Sequence, residues 1–93
     1  MTGTDYCEST FVIQNELGLH ARPAMLLVQA IARLDCNVAI EKDGLEADAK
    51  SIMGVLTLAA EQGSSILVRA QGPDAEKAVE AIEQLIQDKF GED

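Results

Sequence analysis

The stretch NELGLHARPA, Asn15 to Ala24, separates two kinds of periodicity. Before it, STFVIQ (9–14) carries β-branched and aromatic residues and predicts a strand. After it, Ala24, Leu27, Val28, Ile31 and Leu34 recur at helical spacing and predict a helix over 21–34 with one apolar face. Pro23 fits that helix only because it lies in the first turn, where a missing N–H is no loss. The same ten residues hold the only histidine of the chain, His20, set between Gly18 and Arg22.

Working outward, residues 1–8 are small and polar and predict a short tail, leaving 9–93 as a single domain. Val38 and Ile40 alternate with Ala39 and Glu41, which predicts a strand over 36–42. Asp43-Gly44 is a hairpin pair, since Gly accepts positive φ, and 45–49 returns as a second strand. Ile52, Val55, Leu56 and Ala59 lie at helical spacing behind Ser51, a good N-cap, and Gly54 keeps that helix short. SSILVRA (64–70) predicts a strand. Gly72-Pro73-Asp74 then opens a last helix with Pro in its first position, striped by Ala75, Ala78, Val79, Ile82, Leu85 and Ile86. The order β-α-β-β-α-β-α predicts a two-layer α+β sandwich, four strands with three helices on one face.

The chain has 93 residues, 47% of them hydrophobic, with one Tyr, two Phe and no Trp. Its core must therefore be built from aliphatic residues. Seven Lys+Arg against 16 Asp+Glu give a net charge of -9, which argues against nonspecific nucleic-acid binding and against anionic membranes. No stretch approaches the roughly 20 apolar residues of a membrane span, and MTGTDYCEST has neither a basic start nor an apolar run. Cys7 and Cys36 form no CxxC and have no nearby His. A reducing cytoplasm and free thiols are the expectation.

His20 at the cap of the first helix has a chemical reading. The free N–H groups of that turn would point toward the ring, carry positive partial charge and suit a phosphate. The same field favours a neutral imidazole, whose lone pair can attack a phosphoryl group. Arg22 adds a permanently charged donor matched to phosphate oxygens. On position alone, a plain polar cap is the commoner explanation of such a histidine, and Arg22 could be a surface charge. No second His or thiol stands at metal-ligand spacing, so no metal is expected. Ser51, Ser64 and Ser65 lie in no nucleophile-elbow pattern.

NELGLHARPA followed by AKSIMGVLTLAA (49–60) strongly resembles the HPr family, the histidine-containing phosphocarriers of the bacterial phosphoenolpyruvate-dependent phosphotransferase system (PTS). The likeness runs over roughly residues 9–88. It implies an open-faced β-sandwich, a four-stranded antiparallel sheet covered on one face by three helices. It implies that His20 takes a phosphoryl group from Enzyme I on Nδ1 and passes it to PTS IIA proteins for sugar uptake. Arg22 resembles the arginine that holds that phosphate. Ser51 resembles the regulatory serine that HPr kinase/phosphorylase modifies with ATP, and Ile52, Met53 and Leu56 resemble an apolar patch for partners. A phosphate on a helix N-cap is tolerated by the dipole yet adds up to about two negative charges to a docking face. At least one of Ile52 and Met53 should be exposed, because successive helical residues cannot all face inward.

On this reading the chain is a carrier in a relay, not a stand-alone catalyst, and a cytoplasmic monomer without a cofactor of its own. The competing reading is an HPr-like regulatory protein that works mainly through Ser51 or in nitrogen-type PTS signalling, without sugar transport. Pro23 looks more like the sugar-type motif. Gln29 and Ala32 are neutral where several relatives place lysines, and Lys50 is the only lysine adjoining Ser51. A generic ligand-binding domain ranks last, because it leaves both motifs unexplained.

Overall fold

The computed structural model describes residues 5–92. Four strands, β1 (Tyr6–Val12), β2 (Asn37–Lys42), β3 (Leu45–Asp48) and β4 (Ser65–Gln71), form one sheet in the order β1-β4-β2-β3. Every pairing is antiparallel. Helices α1 (Ala21–Ile31), α2 (Ile52–Thr57) and α3 (Ala75–Gln87) are followed by a 3-10 turn over Lys89–Gly91. The predicted element order and α+β class hold, and the sheet has the open-faced form that the family resemblance implies.

Alternation along the strands makes the two layers. In β4, Ile66, Val68 and Ala70 point into the core while Ser65 and Gln71 are exposed. In β2, Val38 and Ile40 face the same way. The helices answer with Ala24, Leu27 and Ile31 of α1, Val55 of α2, and Ala78, Val79, Ile82 and Ile86 of α3. Burial of this aliphatic set, at about 25 cal/mol per Å² of apolar surface, is the main force holding the layers together. The outer sheet face is polar: Arg69 on β4 donates to Glu41 and, at 2.8 Å, to Glu46.

The boundaries depart from the sequence expectation where tertiary pairing outweighs local composition. β1 starts at Tyr6, three residues early and inside the expected tail, because residues 6–12 pair in full with 65–71 of β4. Residues 1–4 lie outside the described residues. Helix α1 ends at Ile31 instead of residue 34, and Leu34 N–H then closes a turn on Ile31 C=O at 3.1 Å. Helix α2 ends at Thr57, short of Ala59, the last residue at helical spacing, and Ala59 takes φ 51°. Pro73 does not occupy the first position of α3. Asp74 is the N-cap, and its carboxylate accepts from the Asp35 N–H at 2.7 Å instead of capping its own helix. The hairpin is as expected: Asp43 (φ 52°) and Gly44 (φ 84°) are both left-handed, as a two-residue turn matching strand twist requires. Both cysteines are free, and burial pushes the Cys36 thiol up from its ordinary pKa.

Candidate functional site

The loop between β1 and α1 makes the site, and its shape depends on one close approach. Gly18 has φ 70°, and a Cβ there would lie 2.4 Å from the Ala60 carbonyl oxygen. Without a side chain, the loop settles against the exit of α2, and Leu19 N–H donates to that carbonyl at 2.8 Å. Leu19 is buried behind the turn. His20 therefore emerges between α1 and α2 as the N-cap of α1, with extended backbone (φ -83°, ψ -168°). Its C=O accepts from Ala24 N–H at 3.0 Å.

The ring does not cap the helix, contrary to the simplest expectation for a polar residue in this position. Instead, Nε2 lies 2.8 Å from Oε2 of Glu92, seventy-two positions away in sequence. The His20 side chain is 37% exposed and that of Glu92 17%. The other oxygen of Glu92 accepts from Asn15 Nδ2 at 2.9 Å, and the same Nδ2 donates to Gly18 C=O at 2.8 Å. Asn15 is fully buried, and its Oδ1 has no partner among the described residues. One amide thus ties together the loop, the histidine's carboxylate and the end of the chain.

Glu92 is ionised at neutral pH. The hydrogen bond from Asn15, then that from His20 and the charges of His20 and Arg22, hold its carboxyl below the ordinary value against the opposing effect of desolvation. A carboxylate only accepts, so Nε2 carries the proton in this pair. In the neutral ring that leaves the lone pair on Nδ1. Beside it, the N–H groups of Ala21 and Arg22 have no partner within the helix. Arg22 is exposed and enters no ion pair among the described residues.

Glu92 reaches the site by an unusual path. Lys89 (φ 54°) and Phe90 (φ 55°) are both left-handed, which folds the chain back after α3. Phe90 is 1% exposed and anchors that turn in the core. Neither Glu92 nor Asn15 stood out as a site residue in the sequence. The faint signal was Phe90-Gly91, an aromatic and a turn residue following an amphipathic helix.

Ser51 is the N-cap of α2 and its Oγ accepts from Gly54 N–H at 3.1 Å. Ile52 (39%) and Met53 (72%) are exposed, whereas Leu56 is half-buried and packs on the core. The open apolar surface also includes Leu17 (69%), on the His20 loop, and Met25 (42%), on α1. Sequence periodicity passed over Leu17 because it belongs to no regular element.

A family model for the PTS HPr component phosphorylation site matches residues 7–88. The chain is 45% identical over 84 residues to the phosphocarrier protein HPr of Treponema pallidum (strain Nichols), covering 90% of this chain and 96% of that protein. It is 43% identical over 86 residues to the phosphocarrier protein HPr of Xylella fastidiosa (strain 9a5c), covering 92% and 97%. The crystal structure of HPr-C-His from Thermoanaerobacter tengcongensis superposes with a TM-score of 0.90 at 44% identity, covering 94% of this chain and 98% of that one.

Proposed function

The chain belongs to the HPr family of phosphocarrier proteins, and on that premise we propose that His20 receives a phosphoryl group on Nδ1 from phosphorylated Enzyme I and delivers it to PTS IIA proteins. The observation that carries this reading is the Nε2–Glu92 hydrogen bond, because it leaves Nδ1 as the ring's nucleophilic atom. In the forward step, the Nδ1 lone pair forms the N–P bond, the donor's bond to phosphorus breaks, and its electron pair leaves with the donor. The phosphoryl oxygens then lie at the start of α1, where the unpaired N–H groups and the Arg22 guanidinium oppose their charge. These contacts are on the surface, so the group stays accessible to an acceptor that removes it by the reverse displacement. The protein is a carrier in this scheme and catalyses no turnover on a free small molecule.

Partners dock on the apolar surface formed by Leu17, Met25, Ile52 and Met53. An exposed apolar patch beside a reactive group suits successive, short-lived complexes. Ser51 regulates that docking. HPr kinase/phosphorylase would place phosphate on Oγ, at a helix N-cap where the dipole accommodates it, immediately before Ile52 and Met53. The new charge disfavours a partner whose own surface is acidic. No helix among the described residues is long and apolar enough to cross a membrane, in keeping with a carrier that meets its partners in the cytoplasm.

Intact-mass analysis tests the central claim. The protein is mixed with phosphoenolpyruvate, magnesium and a broad-specificity Enzyme I, alongside His20→Ala. One acid-labile phosphoryl group on the wild type alone is the expected result. A phosphoryl group retained in His20→Ala would overturn the assignment.

A further inference from the structure

We infer that Met25 and Met53 form a reversible oxidation site: a hydroperoxide converts their exposed thioethers to sulfoxides, and the modified surface docks partners more weakly. This rests on the reading of Leu17, Met25, Ile52 and Met53 as the docking surface of a phosphoryl carrier. It gives that surface a second chemical control, separate from Ser51.

The placement of the sulfur atoms carries the inference. The chain has three methionines. Met1 lies outside the described residues, and the other two are both on this surface, Met53 72% and Met25 42% exposed. Methionine commonly fills gaps in cores. Among the described residues none does so here: the buried hydrophobic residues are Ile, Val, Leu and Ala, with Phe90 and Cys36. Met25 stands three residues after Arg22 and so shares its face of α1. Met53 stands two residues after Ser51, in the first turn of α2. The thioethers therefore lie on both helices that flank His20.

The chemistry balances without a base or a metal. A lone pair on sulfur attacks the terminal oxygen of the hydroperoxide, the O–O bond breaks and the S–O bond forms. The proton of that terminal oxygen passes to the departing oxygen, which leaves as water or an alcohol. Sulfur gives up two electrons and the peroxide takes them. In the reverse direction, a sulfoxide reductase with two thiols returns the thioether, the oxygen leaves as water and the thiols become a disulfide. Both methionines are open to a small oxidant, whereas Cys36 is buried and Cys7 half-buried.

The consequence falls on association and spares the fold. A sulfoxide is a polar acceptor where the surface had an apolar side chain. Pressed into a dry interface, its oxygen loses water and needs a donor. The other members of the patch, Leu17 and Ile52, have no donor side chain. Because neither methionine packs in the core, the added oxygens displace no buried contact.

The test uses the full chain as wild type and as the double variant Met25→Leu/Met53→Leu, which keeps apolar side chains of similar volume. Each is treated with hydrogen peroxide in mild acid, where free thiols are protonated and thioethers still react, and peptide masses locate the added oxygens. Each protein is then compared with its own untreated form as a substrate of phosphorylated Enzyme I. Treated wild type is expected to show a KM raised about tenfold with kcat little changed. Its urea midpoint should not move, and methionine sulfoxide reductases A and B with dithiothreitol should restore the KM. The double variant is expected to be indifferent to treatment. Wild type oxidised at both positions with an unaltered KM would overturn the proposal. So would an equal rise in KM in the treated double variant, or a fall in the urea midpoint of treated wild type. An untreated wild-type protein that accepts no phosphoryl group would instead overturn the carrier reading itself, and this proposal with it.

Discussion

His20 and Ser51 occupy equivalent places, each the N-cap of a helix that faces the same surface, and they are wired in opposite ways. Ser51 Oγ is engaged three residues on, by Gly54 N–H, inside its own helix. His20 makes no such bond and is held by a carboxylate from the far end of the sequence. A cap that bonds to its own backbone stabilises its helix. A cap released from that duty keeps one ring nitrogen free and leaves its helix terminus open to an anion. The difference lies in how far away the holding group is, and substitutions can separate the two cases.

The largest effect is expected at the anchor of the distant partner. Phe90→Ala should lose about 3–5 kcal/mol of stability, as deletion of a fully buried aromatic side chain does, read as a fall in the urea midpoint. It should also release Glu92, so that histidine NMR shifts change while Ser51 amide shifts do not. Gly18→Ala comes next, at about 1–3 kcal/mol, from a left-handed φ of 70° and a Cβ driven onto Ala60 C=O. Equal stability of that variant and wild type by urea titration would contradict the close approach. Ser51→Ala should cost about 1 kcal/mol as a lost cap, and Ser51→Asp should recover it, since an aspartate caps equally well. Neither substitution should alter phosphorylation of His20 by more than its effect on docking.

Acid sensitivity is a smaller difference, and its sign is set by Glu92. The folded carboxyl lies below its unfolded value of 4.5. Its contribution to stability is complete above that value and lost as pH falls through the folded one. Glu92→Gln should therefore lower the neutral plateau, leave stability at the lowest pH unchanged, and so flatten the acid limb of the profile. Urea midpoints measured between pH 2.5 and 7 will show this, and an unchanged acid limb would mean that the carboxylate is not held as described. The smallest stability effect belongs to Met53→Ser, expected within about 0.5 kcal/mol because the side chain is 72% exposed. Its expected consequence is weaker association with Enzyme I, measurable by calorimetry.

The same contrast explains what the sequence reveals. Ser51 is legible as a cap, and Asp43-Gly44 as a two-residue hairpin, because the groups that decide them lie within a few positions. The helical stripes were legible for the same reason, down to Leu27, Ile31, Ile82 and Ile86. The start of β1 at Tyr6 was not, since only its partners on β4 impose it. Pro73 was misplaced because Asp74 answers to Asp35 across the molecule and not to its own helix. His20 could be picked out by its neighbours, whereas Glu92 could not. No periodicity connects a loop residue to a carboxylate seventy-two positions later.

That separation has a consequence for folding. The site draws on the loop at 15–20, the exit of α2 at Ala60 and the strap at Glu92. Contacts so distant in sequence are costly in chain entropy and form late. A partly folded chain can contain α1, and α2 with its cap serine, but not an imidazole with its tautomer set. On the proposed carrier role, reactivity at His20 would therefore report that these distant segments have reached their native arrangement, and phosphorylation of an incomplete fold would be disfavoured by the topology itself.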